Sequence, residues 1–130
     1  MDIDRFIGIP YCPRRMDCGD LAMLLQRELF GRAVQLPGKR PRPLDDQEQA
    51  DAVHTYAALL AEPVQQPRNG DAVLMREAGT TRAGHIGTYF FLNYAPCVLH
   101  TSHALGGSVL HRQQDLKAMG LTVEGYYRWK

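Results

Sequence analysis

The chain has 130 residues, enough for one compact domain and too few for two ordinary ones. Hydrophobic residues make up 45% and charged residues 22%, the proportions of a soluble globular protein. Fifteen basic residues against fourteen acidic ones leave a formal charge of +1, which supplies no general field for nucleic acid or for an anionic membrane.

The N-terminus, Met1-Asp-Ile-Asp-Arg-Phe-Ile-Gly8, has neither the basic start nor the apolar core of a signal peptide. No apolar run approaches the ~20 residues that a membrane helix needs. The expectation is a protein made in the cytoplasm and not exported by the general secretory route. Cys12, Cys18 and Cys97 cannot all pair with one another, so free thiols are expected rather than a disulfide framework.

The first expected element is a helix from about Cys18 to Phe30. Asp17 is a good N-cap, Asp20 stands at the capping-box position, and Gly31 is the natural C-cap. Leu21, Leu25 and Leu29 recur at helical spacing, with Cys18 and Ala22 on the same face. The Pro- and Gly-rich segment Leu36–Pro43, which carries Lys39, Arg40 and Arg42, reads as a solvated connector. A second helix is expected from Asp45 or Asp46, with Ala50, Val53, Ala57 and Leu60 on one face and Pro63 just beyond its end. Gln65–Gly70 is a turn.

From Asp71 the chain turns to short β-branched and aromatic runs. Strands are expected at Asp71–Arg76, His85–Leu92, Cys97–Thr101 and Ser108–Arg112, with turns at Gly79–Gly84 and Asn93–Pro96. A helical turn over Gln113–Met119 ends at Gly120, and Leu121–Trp129 is a last strand. Helices first and strands after give an α+β fold, with N-terminal helices packed on an antiparallel sheet. Residues 1–130 form a single domain, without a repeat or a dividing linker.

Cys18 is the residue whose position suggests chemistry. The first turn of a helix offers unpaired N–H groups and the positive end of the dipole, which favour an anion. Such a site lowers a thiol pKa, and the thiolate is the nucleophile. The same N–H groups can hold an oxyanion formed on an attacked carbonyl. The plainer reading is a small core residue, since free cysteine is among the most buried types. On helix position alone the two readings are even.

The histidines tip the balance. His54 falls mid-helix and reads as a surface or satisfied residue. His85 opens a strand after a Gly-rich turn, and His100 ends the next one. A cysteine, a base histidine and a third group that orients the imidazole are the layout of a thiol peptidase. His103 is the runner-up for the third group, because the chain should already be turning there. Cys18 is expected to be the thiol that labels fastest. A zinc site is the other reading of these residue types. The Cys12–Cys18 spacing exceeds that of paired ligands, and no metal or other cofactor is expected.

Taken together, Tyr11, Asp17-Cys18 opening an apolar helix, Asn69-Gly-Asp-Ala-Val-Leu74, His85-Ile-Gly-Thr-Tyr89 and Val98-Leu-His100 resemble the NlpC-type cysteine peptidases. These papain-like bacterial and phage enzymes cut peptide crosslinks of the cell wall. The resemblance spans about Ile9 to His111. It implies Cys18 as nucleophile, His85 as base, His100 as orienting residue, and Tyr11 with Asp17 at the oxyanion and substrate site.

Two places depart from the family pattern. Asp20 stands where Gly is common, and Asn93–Pro96 lengthens the loop between the two histidines. The lead-in Ile9–Cys18, the Ser108–Arg112 strand and the ending Glu124-Gly-Tyr-Tyr-Arg-Trp129 are most similar to small tail-tip and tail-assembly peptidases of long-tailed phages. That likeness implies a virion protein acting on peptidoglycan stem peptides at the host wall. Its partners would be other tail-tip proteins, with neither nucleic acid nor membrane, and Tyr126, Tyr127 and Trp129 are candidate contacts. An idle tail-tip scaffold that keeps the fold and a bacterial secreted amidase effector are the alternatives.

Overall fold

The computed structural model describes residues 2–34, 59–80 and 84–130. The connector Leu36–Pro43, nearly all of the expected second helix with His54, and part of the Gly79–Gly84 turn lie outside these residues. The described chain is α+β, with one helix of 13 residues, α1 (Cys18–Phe30), against a single six-stranded antiparallel sheet. Among the described residues no helix is long and apolar enough to cross a membrane.

α1 begins and ends where its caps require. The Asp17 carboxylate accepts from the Asp20 backbone N–H at 2.9 Å, and the Asp20 carboxylate accepts from the Asp17 N–H at 3.1 Å. This reciprocal pair satisfies two of the donors that a helix start leaves open. Asp20 is thereby committed to the cap. Gly31 stops the helix in the left-handed region (φ 63°).

The strands are β1 (Ala61–Val64), β2 (Ala72–Glu77), β3 (His85–Leu92), β4 (Ala95–His100), β5 (Val109–Arg112) and β6 (Leu121–Trp129), in the order β1-β6-β2-β3-β4-β5. β1 was not expected, since Pro63 read as a residue beyond a helix. It pairs only with β6, so Pro63 sits on an edge strand, where a missing N–H costs no ladder bond. The expected loop Asn93–Pro96 is shorter than its sequence suggests. Asn93 and Tyr94 alone make the turn, both with positive φ, and Ala95 and Pro96 already belong to β4. The helical turn after β5 is two short 3-10 turns, Gln113–Asp115 and Lys117–Met119.

Period-two alternation gives the sheet two apolar faces. Leu74, Ile86, Phe90 and Leu99 join Cys18, Leu21, Ala22 and Leu25 of α1, with Ile3 and Phe6 closing the layer. Val73, Met75, Tyr89 and Val98 form the opposite layer with Leu116 and Leu121. The terminal aromatics are used inside the sheet. Trp129 is buried beside the Cys18 cluster with Tyr127 packed on it, and Tyr126 meets Tyr89 edge-on at 5.9 Å.

The turn before β2 ties helix to sheet. Fully buried Gln26 donates to the Gly70 carbonyl at 2.8 Å, and a Cβ on Gly70 would come within 2.8 Å of the Phe30 ring. Asn69 accepts from the Phe91 N–H at 2.8 Å, and buried Asp71 receives a two-pronged contact from Arg128 at 2.8 and 3.1 Å. The run Asn69-Gly-Asp71 thus fixes where β3 lies against α1.

Gly87 is needed for a different reason. A Cβ there would stand 2.4 Å from Val98 Cγ1 and 3.2 Å from His100 Cβ. Its missing side chain lets β4 bring His100 close to His85. Gly87→Ala should therefore lower stability by about 1–3 kcal/mol through overpacking and shift the ring resonances of both histidines. Chemical denaturation and NMR check this; wild-type stability with unmoved His85 and His100 signals would contradict it.

Candidate functional site: a buried thiol and a chain of histidines

Cys18 is the first residue of α1 and is 93% shielded, with 7% of its surface exposed. Hydrogen bonds from the backbone of Ile86 and Gly19 reach its sulfur. Ile86 follows His85 directly, so the helix start meets the start of β3. Alternation sends the His85 side chain to the face opposite Ile86. The thiol and the imidazole therefore belong to opposite faces of the sheet, at the same end of β3. The Glu77 carboxylate belongs to the same end, 4.0 Å from His85 Nδ1 and close enough to the sulfur to oppose its ionisation.

Helix position suggested a depressed thiol pKa, and the structure corrects this. Burial pushes the Cys18 thiol up to about 12, and the neighbouring Asp17 carboxylate adds to the rise. The two backbone hydrogen bonds oppose the shift without cancelling it. Asp17, expected at the substrate site, is found as the N-cap, and its charge disfavours the thiolate. Cys12 is only half-buried, whereas Cys18 and Cys97 are buried. In the resting protein Cys12 is the more accessible thiol, whereas the expectation was that Cys18 labels fastest.

His85 and His100 are brought together. His85 Nε2 lies 2.7 Å from His100 Nδ1, with the rings edge-on at 5.0 Å. His103 is exposed in the turn after β4, and Tyr11 stands edge-on to it at 5.8 Å. Tyr11 also donates its backbone N–H to the Gly106 carbonyl at 3.1 Å. The lead-in segment is held there by buried Ser108, whose hydroxyl accepts from the Ile9 N–H and donates to the Phe6 carbonyl.

Sequence reasoning missed two residues of this neighbourhood. One is Glu77. The other is His111, whose Nδ1 lies 2.9 Å from His100 Nε2. The signal for His111 was present: Val98-Leu-His100 and Val109-Leu-His111 are the same tripeptide on neighbouring antiparallel strands.

Burial lowers the His85 pKa to about 4 and that of His100 to about 3, the latter helped by its two histidine neighbours. At neutral pH both rings are therefore uncharged and the thiol is protonated. Among the described residues no group of three or more His, Cys, Asp or Glu side chains is disposed to hold a metal ion. No family model matches the chain, and neither does any curated protein or solved structure.

These shifts set a sign for stability against pH. A histidine whose folded pKa lies below its unfolded value of 6.5 makes the unfolded chain bind more protons. The contribution is fully present above pH 6.5 and is lost as pH falls towards about 4 and then about 3. The urea midpoint should drop across that window, and more shallowly in His100→Gln, which keeps a hydrogen-bonding side chain without a titrating ring. A midpoint equally pH-dependent in both proteins would contradict the buried, neutral assignment.

Proposed function

We propose that this protein is a papain-like cysteine peptidase of the NlpC type that cleaves peptide bonds of bacterial cell-wall peptidoglycan. The observation that carries the reading is one arrangement: a cysteine on the first turn of a capped helix, its sulfur at the backbone beside His85, and His85 Nε2 bonded to His100. Placement in a phage tail tip rests on the sequence likeness of the Ile9–Cys18 lead-in and the Glu124–Trp129 ending. Other tail-tip proteins are the partners that this placement supplies.

The ionisation states define how such a site works. A thiol at about 12 and an imidazole at about 4 do not rest as a thiolate–imidazolium pair. His85 acts as a general base at the moment of attack. Its Nε2 is occupied by His100, so Nδ1 takes the thiol proton while sulfur bonds to the scissile carbonyl carbon. The carbonyl oxygen gains the negative charge at the start of α1, where the positive end of the helix dipole favours it. Glu77, 4.0 Å from Nδ1, stabilises the imidazolium. The C–N bond then breaks as Nδ1 returns its proton to the leaving amine. Water, deprotonated by the same nitrogen, releases the acyl group from sulfur.

A second reading, an idle scaffold in the tail, draws support from the depth of Cys18 and its elevated pKa. Digestion of purified peptidoglycan, with products identified by mass, separates the two. Wild type should release peptide fragments, and Cys18→Ala and His85→Ala should release none. His100→Ala should retain a rate lower by ~10²–10⁴-fold. Equal product from wild type and Cys18→Ala would refute the peptidase reading, and no product from any form would favour the scaffold.

A further inference from the structure

His100 is completely buried, and each of its ring nitrogens bonds to another histidine, at 2.7 Å to His85 and at 2.9 Å to His111. A neutral imidazole has one N–H donor and one bare acceptor nitrogen. Two N···N contacts in series therefore leave only two consistent proton arrangements. In the first, every ring is protonated at Nε2: His85 donates to His100, and His100 donates to His111. In the second, every ring is protonated at Nδ1, and both hydrogen bonds point the other way. Only the first leaves His85 Nδ1 bare, as the proposed base requires.

We infer that His111 is a positioning residue: by accepting at Nδ1 the hydrogen bond from buried His100, it holds His100 and His85 in the Nε2–H form and so makes His85 a base. The inference rests on the thiol-hydrolase reading for its purpose and on the histidine geometry for its content. His111 alone of the three is half-exposed, so its outer Nε2 can be solvated, whereas the Glu77 carboxylate 4.0 Å from His85 Nδ1 draws a proton towards the other arrangement. In the inferred arrangement the His111 end sets the sense of the chain. Gly87 and the β4–β5 register make the contact available. Val98 pairs with His111, and His100 pairs with Val109, which puts the two rings diagonally on one face. A packing residue would need only volume at this position. The chain needs an acceptor.

The test compares His111→Leu, which fills space and accepts nothing, with His111→Asp, which only accepts. Ring ¹⁵N chemical shifts of His85 and His100 at neutral pH report the tautomer directly. Wild type and His111→Asp should show both rings protonated at Nε2, and His111→Leu should show His85 and His100 redistributed towards Nδ1–H. Wild-type tautomers retained in His111→Leu would overturn the inference. So would Nδ1–H at His85 in wild type, a measurement that stands even if His111→Leu does not fold. The readout needs no turnover. Nε2–H rings in a protein that cuts no wall peptide would leave the chain intact and defeat the hydrolase reading alone.

Discussion

His100 has no access to solvent, and a buried ring nitrogen without a partner would cost about 1–3 kcal/mol. Both of its nitrogens are paired, and the partners are imidazoles on the strands to either side. This requirement for satisfaction governs the local backbone. β3 must carry a glycine at position 87 so that β4 can close on it, and β4 must end in register with β5 so that His111 lies within reach. The Gln26–Gly70 bond and the Arg128–Asp71 pair then fix the same strands against α1 and β6. The histidine geometry and the position of Cys18 follow from one set of sheet contacts.

The thiol shows which electrostatic effect prevails. A helix N-terminus is worth ~0.3–1 kcal/mol to a nearby anion at an exposed site. Moving the thiol pKa from 9.0 to about 12 corresponds to ~4 kcal/mol against the charged form. Burial and the Asp17 charge outweigh the dipole and the two backbone hydrogen bonds together. In the proposed peptidase reaction, such a thiol becomes a nucleophile only when a base removes its proton during attack, so the orientation of His85 is central to the proposal.

Much of this architecture was legible in the sequence where local chemistry is decisive. The Asp17 and Gly31 caps delimit α1, and β3 and β6 run over the residues their alternation suggests. The pairing of His85 with His100 followed from two histidines at the ends of successive strands. Long-range effects were not legible. β1 exists because β6 offers it an edge, and its Glu62-Pro63 pair carries no strand signal of its own. The thiol pKa depends on how deeply packing seals Cys18, which no residue spacing reveals. His111 was hidden differently. It looked like one more strand histidine until antiparallel pairing set its Val-x-His pattern beside the same pattern in β4.

The central claim is that Cys18, despite its burial, is the group that bonds to a wall-peptide carbonyl with His85 as its base. The most direct measurement is covalent trapping with a stem-peptide analogue ending in a vinyl sulfone, to which the thiol adds to give a stable thioether, followed by digestion and mass mapping of the adduct. The expected result is one adduct on Cys18 in the wild type, lost in His85→Ala, with Cys12 and Cys97 unmodified. An adduct on Cys12 instead, or equal trapping on Cys18 with and without His85, would contradict the account.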